Sequence, residues 1–157
     1  MAAAPLTVTI PSPFGPIEIA EREGAIVRLT WPAESAPAEP PTALLAEAAR
    51  QLGAYFAGER TAFDLPLRVE AGEFEQAVCA QMAAIPFGET RTYGEIAKAL
   101  GSAAQPVGNA CGANPIPIII PCHRVLGASG LGGFSAAGGV EDKVWLLKHE
   151  GAAGLLI

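Results

Sequence analysis

The 157-residue chain is short of charge, of aromatic side chains and of cysteine. Charged residues make up 17% and aromatic residues 6%. The charge present leans towards acid: 16 Asp and Glu stand against 10 Lys and Arg, a formal net charge of −6 with an isoelectric point near 4.9. This excludes a protein that grips nucleic acid chiefly through a broad basic field, so any phosphate contact has to rest on a local patch. Aliphatic runs such as Ile118 to Ile120 are far too short to span a bilayer. The opening Met1-Ala2-Ala3-Ala4-Pro5 has neither the basic start nor the apolar run of a secretory signal. The expectation is a cytoplasmic protein with no membrane partner.

The cysteines, Cys79, Cys111 and Cys122, are odd in number and irregularly spaced, with no Cys-x-x-Cys pair. That is a poor disulfide framework and suits a reducing compartment. The two histidines, His123 and His149, lie far from Cys79 and Cys111 in sequence, so no zinc-ligand spacing arises and neither metal nor cofactor is expected. No internal repeat of useful length is present.

What is present is enough apolar material for a packed core, with 50% hydrophobic residues. Leu6 to Ile10, Gly15 to Ala20 and Ala25 to Trp31 read as strands, broken by Pro11-Ser12-Pro13 and by a hairpin turn at Glu23-Gly24. Pro32 to Pro41 is a polar connection. From Thr42, the residues Leu44, Leu45, Ala48, Leu52, Tyr55 and Phe56 follow helical spacing, with Gly58 as the stop. Thr61 to Leu67 reads as an extended link.

After Gly72 the chain turns to helices and tight glycine turns. Phe74, Val78, Met82 and Ile85 share one helical face that ends at Pro86. Thr92, with Glu95 three residues on, is the signature of a capping box for a helix ending at Gly101. A further helix over Pro106 to Gly112 completes a helix-turn-helix pattern. Its Gly108, Ala110, Gly112 and Ala113 present little side chain, which permits close approach to a DNA groove or to another helix. Lys143 to His149 reads as a last helix with Val144 and Leu147 inward.

Several groups carry chemistry. Pro121-Cys122-His123-Arg124 sets a thiol beside an imidazole and a guanidinium, groups that favour a thiolate. Adjacent residues on a strand point to opposite faces, so a turn or a bridging water is needed for His123 to take the thiol proton. Asn114 to Pro121 holds three prolines and is a stiff, irregular lead-in to Cys122. The glycines between Gly127 and Gly139 lack the spacing of a phosphate loop and read as a flexible loop lining a pocket next to Cys122. Glu150 is a candidate to orient the imidazole, although from spacing alone such a residue is far more often a solvated surface acid.

The ordered stretches Ile85-Pro86-Phe87-Gly88-Glu89-Thr90, Thr92 to Ala97, Gly112-Ala113-Asn114-Pro115-Ile116-Pro117, Ile119 to Val125 and Lys143 to Gly151 resemble the methylated-DNA–protein-cysteine methyltransferases, the O6-alkylguanine-DNA alkyltransferases. The resemblance implies an α+β fold: a small N-terminal antiparallel sheet with a helix, then a mostly helical domain containing the helix-turn-helix and the reactive cysteine. The implied domains are 1–68, α/β and ribonuclease H-like, and 69–157. It also implies a monomer acting on double-stranded DNA that contains alkylated guanine. The base is flipped out, and its alkyl group passes irreversibly to Cys122 in a single turnover. His123 would accept the thiol proton through a water, and Glu150 would hold His123. Tyr93 would donate towards the purine, while Phe134, Ser135 and their loop face the base. Asn114 would brace the turn before the active-site strand, and Gln105 and Arg124 would contact DNA.

The chain departs from the family pattern at three positions. Gln105 stands where an arginine commonly fills the gap left by the flipped base, Gly112 where a basic residue is common, and Phe134 where tyrosine is frequent. Pro106 is expected to put Gln105 at the helix N-cap. Together with the acidic balance, these changes predict weaker and less salt-sensitive DNA binding than the family pattern implies. They keep two alternatives open: a lesion-binding relative without efficient transfer, and a related enzyme acting on a different damaged base. A Cys-His hydrolase, which would turn over, is more distant.

Overall fold

The computed structural model describes residues 3–134 and 138–152. The chain divides into two compact units, Met1–Glu70 and Ala71–Ile157.

In the first unit, β1 (Leu6–Ile10), β2 (Ile17–Arg22) and β3 (Ala25–Thr30) form an antiparallel meander in the order β1-β2-β3. The register pairs Val8 with Ile19 and Ile19 with Leu29, so apolar side chains align on one face. Glu23 and Gly24 make the two-residue turn, both at positive φ (49° and 79°), the backbone hand that matches strand twist. Helix α1 (Ala43–Phe56) is capped by Thr42, whose hydroxyl accepts from the Leu45 amide at 3.1 Å. Its Leu45, Ala48, Leu52 and Tyr55 are buried with Ile17, Ile19 and Leu29. Gln51, also buried, bonds both the amide and the carbonyl of Asp64 and so fastens the extended segment after the helix.

In the second unit, α2 (Glu73–Ala83) is followed by β4 (Arg91–Thr92), α3 (Tyr93–Leu100) and α4 (Ala104–Gly112). A single 3-10 turn, Cys122–Arg124, leads into β5 (Val125–Leu126), and α5 (Gly139–His149) closes the described fold. α2 packs on both α3 and α4. The capping box at α3 forms in full: the Thr92 hydroxyl accepts from the Glu95 amide at 3.0 Å, and the Glu95 carboxylate accepts from the Thr92 amide at 2.9 Å. Gly101 ends α3 in the left-handed conformation (φ 64°).

The sequence reading differs from this unit in three places. α4 begins at Ala104, with Ala103 as N-cap, so Gln105 and Pro106 lie inside the first turn. Proline is tolerated there because first-turn amides have no intrahelical partner, and the first bond of the helix, Val107 amide to Ala103 carbonyl, comes after it. α5 begins at Gly139, and its buried face is Lys143, Leu146 and Leu147, with Val144 only half-buried. The parallel pairing of β4 with β5, Arg91 with Val125 and Thr92 with Leu126, had no sequence signal. It ties the start of α3 to the segment just after Cys122. Among the described residues no helix is long and apolar enough to cross a membrane.

Candidate active site

The approach to Cys122 is a series of tight turns forced by its prolines. The Ile119 amide bonds the Pro117 carbonyl at 2.9 Å around Ile118, which sits at φ 73°. A branched residue in that region is strained, at a cost of order 1–3 kcal/mol. Pro121 (φ −81°, ψ 69°) makes a second three-residue turn of the relaxed hand, with the Cys122 amide on the Ile120 carbonyl at 2.8 Å. Asn114 holds the series from outside: its Nδ2 donates to the Ile120 carbonyl at 2.8 Å, and its Oδ1 accepts from the Ile116 amide at 3.0 Å. Its side-chain amide also acts to lower the pKa of the Cys122 thiol. Asn114 thus bonds the backbone at both ends of the turn that precedes Pro121.

Cys122 to Arg124 then form the 3-10 turn, so the strand geometry that would separate the thiol from the imidazole is avoided. His123 is fully buried. Its Nε2 lies 2.8 Å from Glu150 Oε2, and Glu150, just beyond α5, is also buried. A carboxylate can only accept here, so Nε2 carries the proton and Nδ1 keeps its lone pair. Nδ1 has no hydrogen-bond partner among the described residues. Burial lowers the His123 pKa below its usual range; Glu150 opposes that shift, and the cations Arg124 and Lys143 add to it.

Arg124 clasps Glu150 side-on, Nε to Oε1 at 2.7 Å and Nη2 to Oε2 at 2.9 Å, and gives Nη1 to the Ile85 carbonyl at 2.5 Å. The side chain is 8% exposed, and each of its three nitrogens is bonded internally. This corrects the expectation that Arg124 contacts DNA: it neutralises and orients the acid that holds His123.

Cys122 lines a cavity of about 290 Å³ together with Tyr93, Gly108, Cys111, Gly112, Gly133 and Phe134. α3 supplies Tyr93, α4 supplies the small residues, and the glycine loop supplies the far wall. Burial pushes the Cys122 pKa up to about 11, against the lowering pull of Asn114, Lys143 and the amides of Cys122 and His123. The expected standing thiolate is therefore not the resting state: the thiol keeps its proton until a base removes it. Tyr93 is raised by burial as well and stays a neutral phenol, with the Gly133 backbone acting to lower it. Gly132 (φ 71°) lies flat against Tyr93: a Cβ there would sit 2.8 Å from the ring and 2.9 Å from the hydroxyl oxygen.

Lys143 is the residue that sequence reasoning missed. It is fully buried, donates to the Val125 carbonyl at 2.6 Å and the Gly133 carbonyl at 3.1 Å, and places its ammonium 5.9 Å from the centre of the Tyr93 ring. Burial lowers its pKa to about 8, while Cys122 and Cys111 act to raise it. A lysine at the inward spacing of an amphipathic helix was the available signal. Of the other expected residues, Phe134 lines the cavity and Gln105 is exposed on the first turn of α4, outside the lining. Ser135 lies outside the described residues.

Two family models match the chain: the 6-O-methylguanine DNA methyltransferase ribonuclease-like domain over residues 7–69, and the DNA binding domain of the same family over residues 73–152. A methylated-DNA–protein-cysteine methyltransferase from Mycolicibacterium paratuberculosis is 45% identical over 151 residues, covering 90% of either chain. The crystal structure of the Mycobacterium tuberculosis O6-methylguanine methyltransferase superposes with a TM-score of 0.83 at 39% identity, over 96% of this chain and 94% of that one. The M. tuberculosis OGT in complex with DNA superposes with a TM-score of 0.80 at 42% identity, over 92% of both chains. The chain thus belongs to the O6-methylguanine DNA methyltransferase family.

Proposed function

We propose that the protein repairs alkylated guanine in duplex DNA by taking the alkyl group irreversibly onto Cys122. The observation that carries this reading is the placement of that thiol on a cavity, with the neighbouring His123–Glu150 pair buried and correctly polarised. The unpartnered Nδ1 of His123 is the acceptor for the thiol proton, passed through a water. The sulfur attacks the alkyl carbon as the carbon–oxygen bond breaks. Charge that develops on the departing guanine is met by the Tyr93 hydroxyl, a neutral phenol able to donate. Lys143 stabilises the sulfur as it loses its proton. The thioether has no route back to thiol, so each chain reacts once.

The helix pair α3–α4 is the DNA-reading element. α4, Ala104-Gln105-Pro106-Val107-Gly108-Asn109-Ala110-Cys111-Gly112, carries no charged residue. Close approach of a small-residue surface has to supply what basic residues would otherwise provide, and Gln105 is the side chain exposed to fill a flipped base's place. The relative crystallised with DNA supports duplex as the partner. The chemistry falls to the second sequence domain, 69–157, with 1–68 as a ribonuclease-like companion. A monomer in a reducing cytoplasm suits three free thiols. Neither a lesion binder without transfer nor a specialist for another base is favoured while Cys122 lines the cavity.

The test is removal of O6-methylguanine from a synthetic duplex. The parent should clear the lesion up to the amount of protein present, and Cys122→Ala should bind the duplex without clearing it. Binding by the parent with the lesion left intact would replace this reading with that of a lesion sensor.

A further inference from the structure

The cavity holds a second thiol that the alkyl-transfer reading does not use. Cys111, on the inner face of α4, lines it together with Cys122. Both side chains are almost fully buried, and neither is in a disulfide. Both thiols face the one cavity, Cys122 acts to raise the Cys111 pKa, and the Lys143 ammonium acts to lower both. Cys79, on α2, is also near Cys122 electrostatically but does not line the cavity.

Resting on the transfer reading, we propose that Cys111 is a second acceptor, which closes a thioether bridge to Cys122 when the transferred alkyl group carries its own leaving group. The substrate class is a two-carbon haloalkyl adduct. In the first step the Cys122 sulfur bonds the carbon attached to guanine O6, that carbon–oxygen bond breaks, and guanine leaves with the thiol proton. In the second step the Cys111 sulfur bonds the other carbon, halide departs, and the Cys111 proton passes to water. No oxidant or cofactor is needed.

Two features favour the bridge over hydrolysis of the half-reacted adduct. The second thiol lines the same cavity, so its attack is intramolecular, and intramolecular reactions of well-oriented groups reach effective molarities of about 10⁵ M or more. The product is also neutral, so the desolvation that penalises thiolates in this cavity does not penalise it. The consequence is protective: a haloalkyl group left on Cys122 alone stays electrophilic and can go on to attack the bound DNA, whereas the bridge consumes it inside the protein.

The probe is 1,2-dibromoethane added to the full chain, followed by intact mass and peptide mapping. The expected product is a peptide containing Cys111 joined through ethylene to the peptide containing Cys122. It should exceed hydroxyethyl-Cys122 by at least about tenfold. Cys111→Ser should lose the bridge and show hydroxyethyl-Cys122 instead, while Cys79→Ser should keep it. Hydroxyethyl on Cys122 without a bridge, a bridge to Cys79, or an unmodified Cys122 would each overturn the inference. Methyl transfer from an O6-methylguanine duplex, measured in parallel, separates the two ideas. Transfer without a bridge removes the second acceptor alone, and a bridge without transfer supports the two-thiol geometry while removing the repair reading.

Discussion

His123 and Glu150 meet through Nε2 and Oε2 at 2.8 Å with both side chains sealed from solvent, and this one contact fixes which nitrogen of the imidazole can act as a base. Arg124 holds the same carboxylate from its other side, so the acid is a shared anchor. Glu150→Gln leaves the guanidinium buried without its counter-charge. We expect it to cost ~3–5 kcal/mol of stability, read from urea unfolding, and to slow labelling of Cys122 more than it weakens duplex binding. Equal labelling rates in mutant and parent would remove Glu150 from the proton path.

The sign of the His123 shift sets an acid-side dependence. Its native value lies below the ordinary 6.5, so as pH falls through 6.5 the unfolded chain takes up a proton that the native state resists. Stability on this account is full above 6.5 and declines as the pH drops towards the native value. Urea midpoints at pH 7 and pH 5 should show the loss, and His123→Gln should flatten it. A midpoint unchanged between these pH values in the parent would contradict the burial argument.

Lys143 is a buried cation that acts to lower the Cys122 pKa, and it is tied to two carbonyls. Lys143→Met keeps much of the volume and removes the charge. Labelling of Cys122 from an alkylated duplex should fall about tenfold or more, equivalent to ~1.4 kcal/mol in the barrier. Lys143→Arg should not restore it, because a planar fork cannot reproduce the bonds to the Val125 and Gly133 carbonyls.

Gly132 supports Tyr93 by having no side chain. Gly132→Ala adds a Cβ 2.8 Å from the ring at a backbone angle that alanine disfavours. The tyrosine or the loop must move, and the transfer rate should fall while α3, capped by its own Thr92–Glu95 box, keeps its stability. Circular dichroism and single-turnover kinetics on the same sample separate the two effects.

Gln105 tests the DNA-binding side. It is exposed in the first turn of a helix with no charged residue. Gln105→Arg should tighten binding to duplex and steepen its dependence on salt. An unchanged affinity at every salt concentration would show that this position does not limit recognition.

Much of this was legible in the residues. The three N-terminal strands, α1 and the boxed start of α3 follow from short β-rich runs, helical spacing and capping chemistry, all local signals. The ordered motifs around Cys122 pointed to the family; Tyr93 lines the cavity and Asn114 bonds the segment before Cys122. What escaped depends on tertiary context. β4 and β5 are two residues each, too short for periodicity, and exist because distant segments meet. The family resemblance pointed to Glu150 as the partner of His123, but its ion pair with Arg124 had no local signal. Arg124 was mistaken for a DNA contact because a basic residue beside a reactive cysteine gives no hint that its counter-charge lies after the last helix. Lys143 was passed over because lysine usually faces water, and only the two carbonyls in its path explain its burial. The start of α4 was placed late because proline before a helix normally marks the first position, whereas here the turn accommodates it at the third.

The central claim is most directly met by weighing the protein. After incubation with excess duplex containing O6-methylguanine, intact mass should rise by a single methyl group per chain, peptide mapping should place it on the Cys122 sulfur, and further duplex should add nothing. An unchanged mass, a methyl group on Cys79 or Cys111 instead, or repaired lesions outnumbering protein molecules would contradict the account.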